Sequence, residues 1–425
     1  MKRSLFYGRW VSVGNKSAIP PWSDLIIRKG IINQICQRCD SQIESEWTVQ
    51  DYQYCWQCAK LGLITSHTVL LTLPEPNKFA HNEVVCKWQG ELTVEQEMAS
   101  RAMLDALAHG ESHLTYAVTG AGKTEMLFPM LTAALQSGKR VAIVSPRTDV
   151  ILELAPRIKS VFDIASVVLY GESTEGYHYT QLVLATTHQL LRFYRAFDVI
   201  IIDEVDAFPF AESDILNSAA KKAIKAGGVF FYLTATPSRR LQSLVTKGQL
   251  KMSLLARRFH GYELPNFKLT QVRNWRRKLP YVVKKLLQKY SKTAQQFFIF
   301  VPTVSDLMTV YELIKAYLPT LNVQLTHAGD HERHEKIRQV RAGEIQGLIT
   351  TTILERGVTI KQLDVIIFGA DEDVFSKAAL IQMAGRCGRS HEFPNGLVLA
   401  LISERTNKVL EAYNEIKYLN FQGRR

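Results

Sequence analysis

Six short apolar runs recur between residues 141 and 368, and they constrain the fold more than any other feature of the chain. They are Val141-Ala142-Ile143-Val144, Val199-Ile200-Ile201-Ile202, Val229-Phe230-Phe231-Tyr232-Leu233, Phe297-Phe298-Ile299-Phe300-Val301, Gly347-Leu348-Ile349 and Val365-Ile366-Ile367-Phe368. Each is too short for a helix, most are rich in β-branched or aromatic residues, and helix-length amphipathic segments separate them. That is the pattern of strands buried on both faces in βαβ units. A chain of 425 residues also exceeds what one hydrophobic core supports. The expected architecture is therefore α/β, with parallel sheets in two successive lobes over residues 86–260 and 261–425. Residues 1–85 precede them and are irregular, rich in aromatics and turn formers. Within that region Leu73-Pro74-Glu75-Pro76-Asn77 reads as a linker. A second interruption falls near 257–280, where Arg257-Arg258, Pro265-Asn266 and the basic run Arg273-Asn274-Trp275-Arg276-Arg277-Lys278 break the βα rhythm.

The turn chemistry follows the strands, where open α/β sheets place their ligands. Residues 117–124 read Ala-Val-Thr-Gly-Ala-Gly-Lys-Thr, a phosphate-loop pattern with Ala117 in place of its first glycine. Backbone N–H groups around Thr119, Gly120, Ala121 and Gly122 would wrap phosphates, and the two glycines tolerate the positive φ this needs. Lys123 would reach the β and γ phosphates of ATP, Thr124 would bind Mg²⁺, and the following helix would aim its N-terminus at the anion. Downstream, Asp203 and Glu204 end the strand Val199–Ile202. Two carboxylates at the tip of an apolar strand are costly unless a cation or a catalytic task holds them. Asp203 would complete the Mg²⁺ shell and Glu204 would polarise the attacking water. The triplet Thr234-Ala235-Thr236 follows another strand, and its hydroxyls can reach the Asp203–Asp206 turn. In the second lobe, Gln382-Met383-Ala384-Gly385-Arg386-Cys387-Gly388-Arg389 places two arginines on an expected helical face. Across a cleft from the phosphates, Arg386 and Arg389 would stabilise transition-state charge.

Together these motifs resemble superfamily 2 helicases over about residues 90–425, which implies two RecA-like lobes. Leu92-Thr93-x-x-Gln96 looks like the adenine-reading element, with Gln96 suited to bidentate bonding. Ser145-Pro146-Arg147 and Thr186-Thr187-His188-Gln189 fall where the resemblance implies contact with a nucleic-acid backbone, as do Thr303 and Thr351 of the second lobe. Gly357, in the run Thr350–Thr359, and Gln382 join the nucleotide-binding set on the same resemblance. With an N-terminal four-cysteine module added, the set resembles the ComFA family of late-competence ATPases. This implies an ATP-driven single-stranded DNA translocase or helicase in DNA uptake during transformation, working with other competence proteins at the inner face of the membrane. A replication-restart or repair helicase like PriA has a similar phosphate loop, but its cysteines lie inside the helicase core. The acidic turn ends Val205-Asp206 rather than Ala-Asp, so a strict DEAD-box RNA assignment does not fit.

Cys36-x-x-Cys39 and Cys55-x-x-Cys58 match a tetrahedral Zn²⁺ site of zinc-ribbon type. Metal would substitute for a core that so small a region struggles to build. Tyr52, Tyr54 and Trp56 alternate around Cys55 and would either pack this module or offer a base-stacking face. Trp275, amid its arginines, invites the same stacking reading but is expected at a solvated lobe junction, and His327, His331 and His334 at the surface. Cys86 and Cys387 stand alone. The net charge of +12 favours a polyanionic partner, nucleic acid first. No apolar run reaches membrane-spanning length and no secretory signal opens the chain, so a cytoplasmic location is expected.

Overall fold

The computed structural model describes residues 2–14, 18–79, 84–173, 175–293, 295–356 and 360–424. The chain divides into two compact units, residues 1–116 with 123–254, and residues 117–122 with 255–425. The apolar runs become strands. The first sheet orders its seven strands Ser166–Leu169, Leu182–Thr186, Val141–Ser145, Phe197–Asp203, Ile224–Thr234, His113–Ala117 and Lys251–Leu255. The first six pair in parallel. Every residue of Val141–Ser145 and Leu182–Thr186 is buried, as continuous apolar strands covered on both faces must be. The second sheet has six strands in the order Phe267–Gln271, Val398–Ile402, Leu363–Ile367, Gln296–Phe300, Gly347–Thr350 and Val323–Thr326. All its pairings are parallel. The outer strand Phe267–Gln271 lies inside the stretch expected to interrupt the rhythm. Its half-exposed edge position admits Lys268 and Gln271, which disguised it as a junction.

Local signals start the helices. Val94–His109 opens with a reciprocal capping box between Thr93 and Gln96 and ends at Gly110, whose φ of 67° suits glycine. Val304–Tyr317 opens with the same device from Thr303 and Asp306. Ser213, Ser238 and Ser376 cap three more.

The N-terminal region is built of short antiparallel strands, Val11–Val13, Val69–Thr72 and Ile26–Lys29 in one sheet and Thr48–Val49, Tyr52–Cys55 and Ile64–Thr65 in another. Its apolar residues Trp10, Ile31, Ile43, Ile64 and Leu70 and the four module cysteines form one buried cluster with residues of the first parallel sheet. The proline-rich stretch at 73–77 is pinned: Leu73 is buried, Glu75 pairs with Lys225 at 2.6 Å, and Asn77 Nδ2 donates to Asp198 Oδ2 at 3.0 Å. Among the described residues no helix is long and apolar enough to cross a membrane.

Trp275 is a correction. It is 3% exposed, packs edge-on against Phe368 with centroids 5.3 Å apart, and carries the Arg276 guanidinium 4.2 Å above its ring. The indole fills the second core while its polar neighbours face out, so a basic run concealed a core residue. His331 and His334 are exposed, as expected of surface residues.

Candidate nucleotide, metal and nucleic-acid sites

The strand His113–Ala117 delivers the chain into the phosphate loop, where Gly120 and Gly122 adopt φ of 81° and 71°. These are the positive values that the loop's tight path requires. Thr119 is buried, with a hydroxyl that has no protein partner. The expected helix start is softer than a regular N-terminus. A 3₁₀ turn, Glu125–Leu127, intervenes before the α-helix Phe128–Gln136. Lys123 Nζ lies 4.0 Å from Asp203 Oδ1, so the lysine and the acidic strand tip meet. Burial pushes the Asp203 carboxyl above its ordinary value; Lys123 opposes this and Glu204 adds to it. Asp203 Oδ1 also accepts the Glu204 N–H at 2.9 Å, and Glu204 itself has a positive φ of 54°.

The hydroxyl triplet reaches the acidic turn as expected. Thr234 Oγ1 donates to Asp206 Oδ1 at 2.6 Å, Thr236 Oγ1 donates to Asp206 Oδ2, and Val205 N donates to Leu233 O at 3.2 Å. The final strand-to-loop segments of two adjacent parallel strands are thereby laced together. Gln96 Oε1 accepts the Thr93 N–H at 2.9 Å within the capping box.

In the second unit Gln382 lies on the helix Lys377–Ala384, buried. The two arginines do not share a helical face. The helix ends at Ala384, Arg386 N closes a turn onto Met383 O, and Gly388 turns the chain at φ 64°. Gly385 stands at the C-cap, still in the right-handed region. Arg386 is 2% exposed with Nε donating to Glu355 O at 2.8 Å; Arg389 Nε donates to Gly385 O at 3.0 Å. Gly385 is required by space: a Cβ there would lie 2.0 Å from Thr119 Oγ1. Sequence reasoning passed over Arg258 as part of a junction. It is buried against Gly120 and its Nη1 donates to Cys387 O at 2.7 Å. Burial lowers its guanidinium pKa to about 10, helped by the charge of Arg389. Gly357 lies outside the described residues.

Pro146 and Arg147 follow the strand Val141–Ser145, with Arg147 N donating to Ser145 Oγ at 3.3 Å. Thr187 and His188 open the 3₁₀ helix Thr187–Arg192 after the strand Leu182–Thr186; Thr187 is buried with its hydroxyl unpaired within the protein. Thr303 is spent as a helix cap, and Thr351 directly follows the strand Gly347–Thr350.

The four cysteine Sγ atoms lie within 4.8 Å of one another, all buried. Cys36 and Cys58 are 3.8 Å apart and Cys39 and Cys55 3.4 Å. A tetrahedral Zn²⁺ with Zn–S bonds of about 2.3 Å sets its sulfurs ~3.8 Å apart, so the cradle fits that ion. Arg38 Nε reaches Cys58 Sγ at 3.3 Å and its Nη2 donates to Cys58 O at 3.1 Å, the kind of outer partner that orients a thiolate ligand. Of the aromatics, Trp56 is 63% exposed and Tyr52 39%, while Tyr54 is half-buried. Trp56 does not pack the module.

Comparison with known proteins fits this geometry. The DEAD/DEAH box helicase family model matches residues 96–244, and the helicase conserved C-terminal domain model matches 278–391. Competence protein ComFA of Bacillus subtilis (strain 168) is 40% identical over 374 residues, spanning 86% of this chain and 80% of that protein. This chain belongs to the ComFA family. A second ComFA, from Streptococcus pneumoniae (strain ATCC BAA-255 / R6), is 38% identical over 391 residues, spanning 91% of this chain and 90% of its own. As a ComFA-family protein with both helicase domains, the chain is an ATP-dependent helicase. The solved structure of S. cerevisiae Dbp5 bound to RNA and ADP BeF3 shares the fold at a TM-score of 0.54 and 17% identity, covering 77% of this chain and 90% of that one.

Proposed function

We propose that the protein is an ATP-driven single-stranded DNA translocase acting in DNA uptake, on the cytoplasmic side of the membrane and with other competence proteins as partners. The observation that carries the reading is the meeting of Lys123 with Asp203 at 4.0 Å, beside an acidic turn that two threonines hold through Asp206. Here Lys123 and the backbone from Thr119 to Gly122 bind phosphate oxygens, and Glu204 orients the attacking water. Thr124 and Asp203 would hold Mg²⁺, which supplies charge neutralisation at the transferring phosphoryl group. Arg386 and Arg389 are assigned to transition-state charge, and Gln96, Gln382 and Gly357 to nucleotide recognition. A nucleotide arriving or leaving at Lys123 alters the surroundings of Asp203. The Asp206 lacing supplies a route from that change to the strand ending at Thr234, and thence to a bound nucleic acid. Pro146, Arg147, Thr187, His188, Thr303 and Thr351 are assigned to the nucleic-acid backbone.

ATP hydrolysis by the zinc-loaded protein, measured alone and with single-stranded DNA, duplex DNA or RNA, tests the reading. Stimulation by single-stranded DNA above the others is the expected result. Equal rates with and without every nucleic acid would overturn it.

A further inference from the structure

A cavity of about 190 Å³ opens where the four-cysteine module meets the first lobe. Arg9, Lys60, Gln189, Arg192, Tyr177 and Glu175 are among the residues that line it. Three cations therefore face one carboxylate, and that carboxylate already accepts the Val168 N–H at 3.2 Å. Arg9 Nε and Arg192 Nε are buried and have no hydrogen-bond partner. The Arg9 guanidinium lies 4.4 Å from the Tyr177 ring centroid, which fixes its plane without satisfying its donors. The backbone holds the two arginines together: Arg9 bridges Phe193 in antiparallel fashion, Trp10 N donates to Arg192 O at 2.8 Å, and Tyr194 N donates to Gly8 O at 2.9 Å.

Burial lowers the Arg192 pKa, and the charges of Arg9 and Arg38 lower it further. Two half-buried guanidiniums held beside each other, with no protein anion between them, cost free energy that an arriving anion would recover. Arginine forks match the paired oxygens of a phosphate.

We infer that this cavity binds a backbone phosphate of a nucleic-acid strand, with Arg9, Arg192 and Lys60 as its ligands. The inference rests on the nucleic-acid reading above and extends it to the N-terminal region. Two further observations favour a strand over a free anion. Gln189 and Arg192 lie on the same 3₁₀ helix as Thr187, whose buried hydroxyl also lacks a protein partner, so one continuous segment supplies both places. Lys60 lies on the 3₁₀ helix Trp56–Leu61, which begins with the exposed indole of Trp56, an unused stacking face on the same element. Cys58 sits on this helix too, and Arg38 ties it to Leu61 O and Gly62 O, so the position of Lys60 depends on the sulfur cluster.

The test is fluorescence anisotropy of a labelled oligo-dT bound to the full zinc-loaded chain, titrated with NaCl. Each lost phosphate contact on a single strand lowers the magnitude of the log K against log salt slope by roughly 0.7. Lys60→Gln, at an exposed position that folding does not need, should lower it by a part of that amount. Arg9→Gln with Arg192→Gln, which strips both guanidiniums from that one phosphate, should lower it by roughly 0.7. A wild type that binds oligo-dT while the variants keep its slope and affinity would overturn the inference and leave the translocase reading standing. A wild type that binds no nucleic acid would overturn the parent reading instead. Inorganic pyrophosphate provides the other arm: variants that lose affinity for it yet keep the full DNA slope would show a free-anion site, and the strand assignment would fall.

Discussion

Around the four cysteines the strands are two to four residues long, whereas the sheet behind the phosphate loop uses strands of four to eleven. Both places present ligand groups from turns, but they obtain their order differently. The phosphate loop is held between the strand His113–Ala117, every residue of which is buried, and the helix Phe128–Gln136. The cysteine module has little regular structure, and its buried centre is sulfur. A metal bound by the four thiols would supply most of what holds the two knuckles together, and metal binding and folding would then be one equilibrium there. On this reading one site would be organised before its ligand arrives and the other by its ligand.

Zinc removal should break this comparison most visibly. Chelation, or Cys55→Ser, should remove binding energy on the order of 10 kcal/mol from the module. Hydrogen exchange across residues 31–65 should rise to near-unprotected rates while the strands Val141–Ser145 and Leu182–Thr186 stay protected. Equal loss of protection in both regions would show that the module and sheet are one cooperative body. The converse experiment is Lys123→Ala, which should lower ATP turnover by about 10³-fold or more, roughly 4 kcal/mol, with zinc content unchanged. Substantial residual turnover would remove Lys123 from the site.

The sheet side also has a pH signature. His113 is 2% exposed, with Nε2 3.0 Å from Ser253 Oγ, and burial depresses its pKa to about 4 from an ordinary 6.5, with Lys251 adding to the effect. Its folded pKa lies below the unfolded one, so the unfolded chain binds the extra proton first. Stability should therefore fall between about pH 6.5 and 4, by about 3 kcal/mol. His113→Gln should flatten that dependence in denaturant unfolding curves; an unchanged pH profile would refute the assignment. The smallest effect sharpens the comparison within the first lobe. Thr236→Val removes one hydroxyl from Asp206 and should cost about 1.5–3 kcal/mol of local order. It should reduce DNA-stimulated turnover more than turnover without DNA, and equal reductions would deny the lacing any role in coupling.

The parts readable in the sequence were those encoded within a few residues. Val199–Ile202 reads as a buried strand because nothing polar interrupts it, and Cys36, Cys39, Cys55 and Cys58 read as a cradle because spacing carries the chemistry. The Thr234 and Thr236 contacts with Asp206 followed from their places after two strands. The failures were of other kinds. Arg386 and Arg389 have helical spacing, but the helix ends at Ala384, and Gly385 answers to Thr119, a residue far away in the chain. Trp275 sits in a run of charge that faces outward while its indole faces in. Lys268 and Gln271 give an outer strand the look of a loop. Arg9, Lys60 and Arg192 share a cavity only because the N-terminal segment bridges Phe193, a pairing that no local pattern announces.

The contacts of Asp40 have a mechanical consequence. Asp40 follows Cys39, and it binds Lys222 and accepts from Ser218 Oγ at 2.5 Å, while Lys222 also donates to Gln37 O at 3.2 Å. Lys222 and Ser218 belong to the helix Asp214–Ala223, which leads directly into the strand that ends at Thr234. Tension applied to the cysteine knuckle is thus borne by that helix. If the protein pulls on a strand as proposed, the knuckle is a harness point, and its load passes into the strand whose far end holds Asp206.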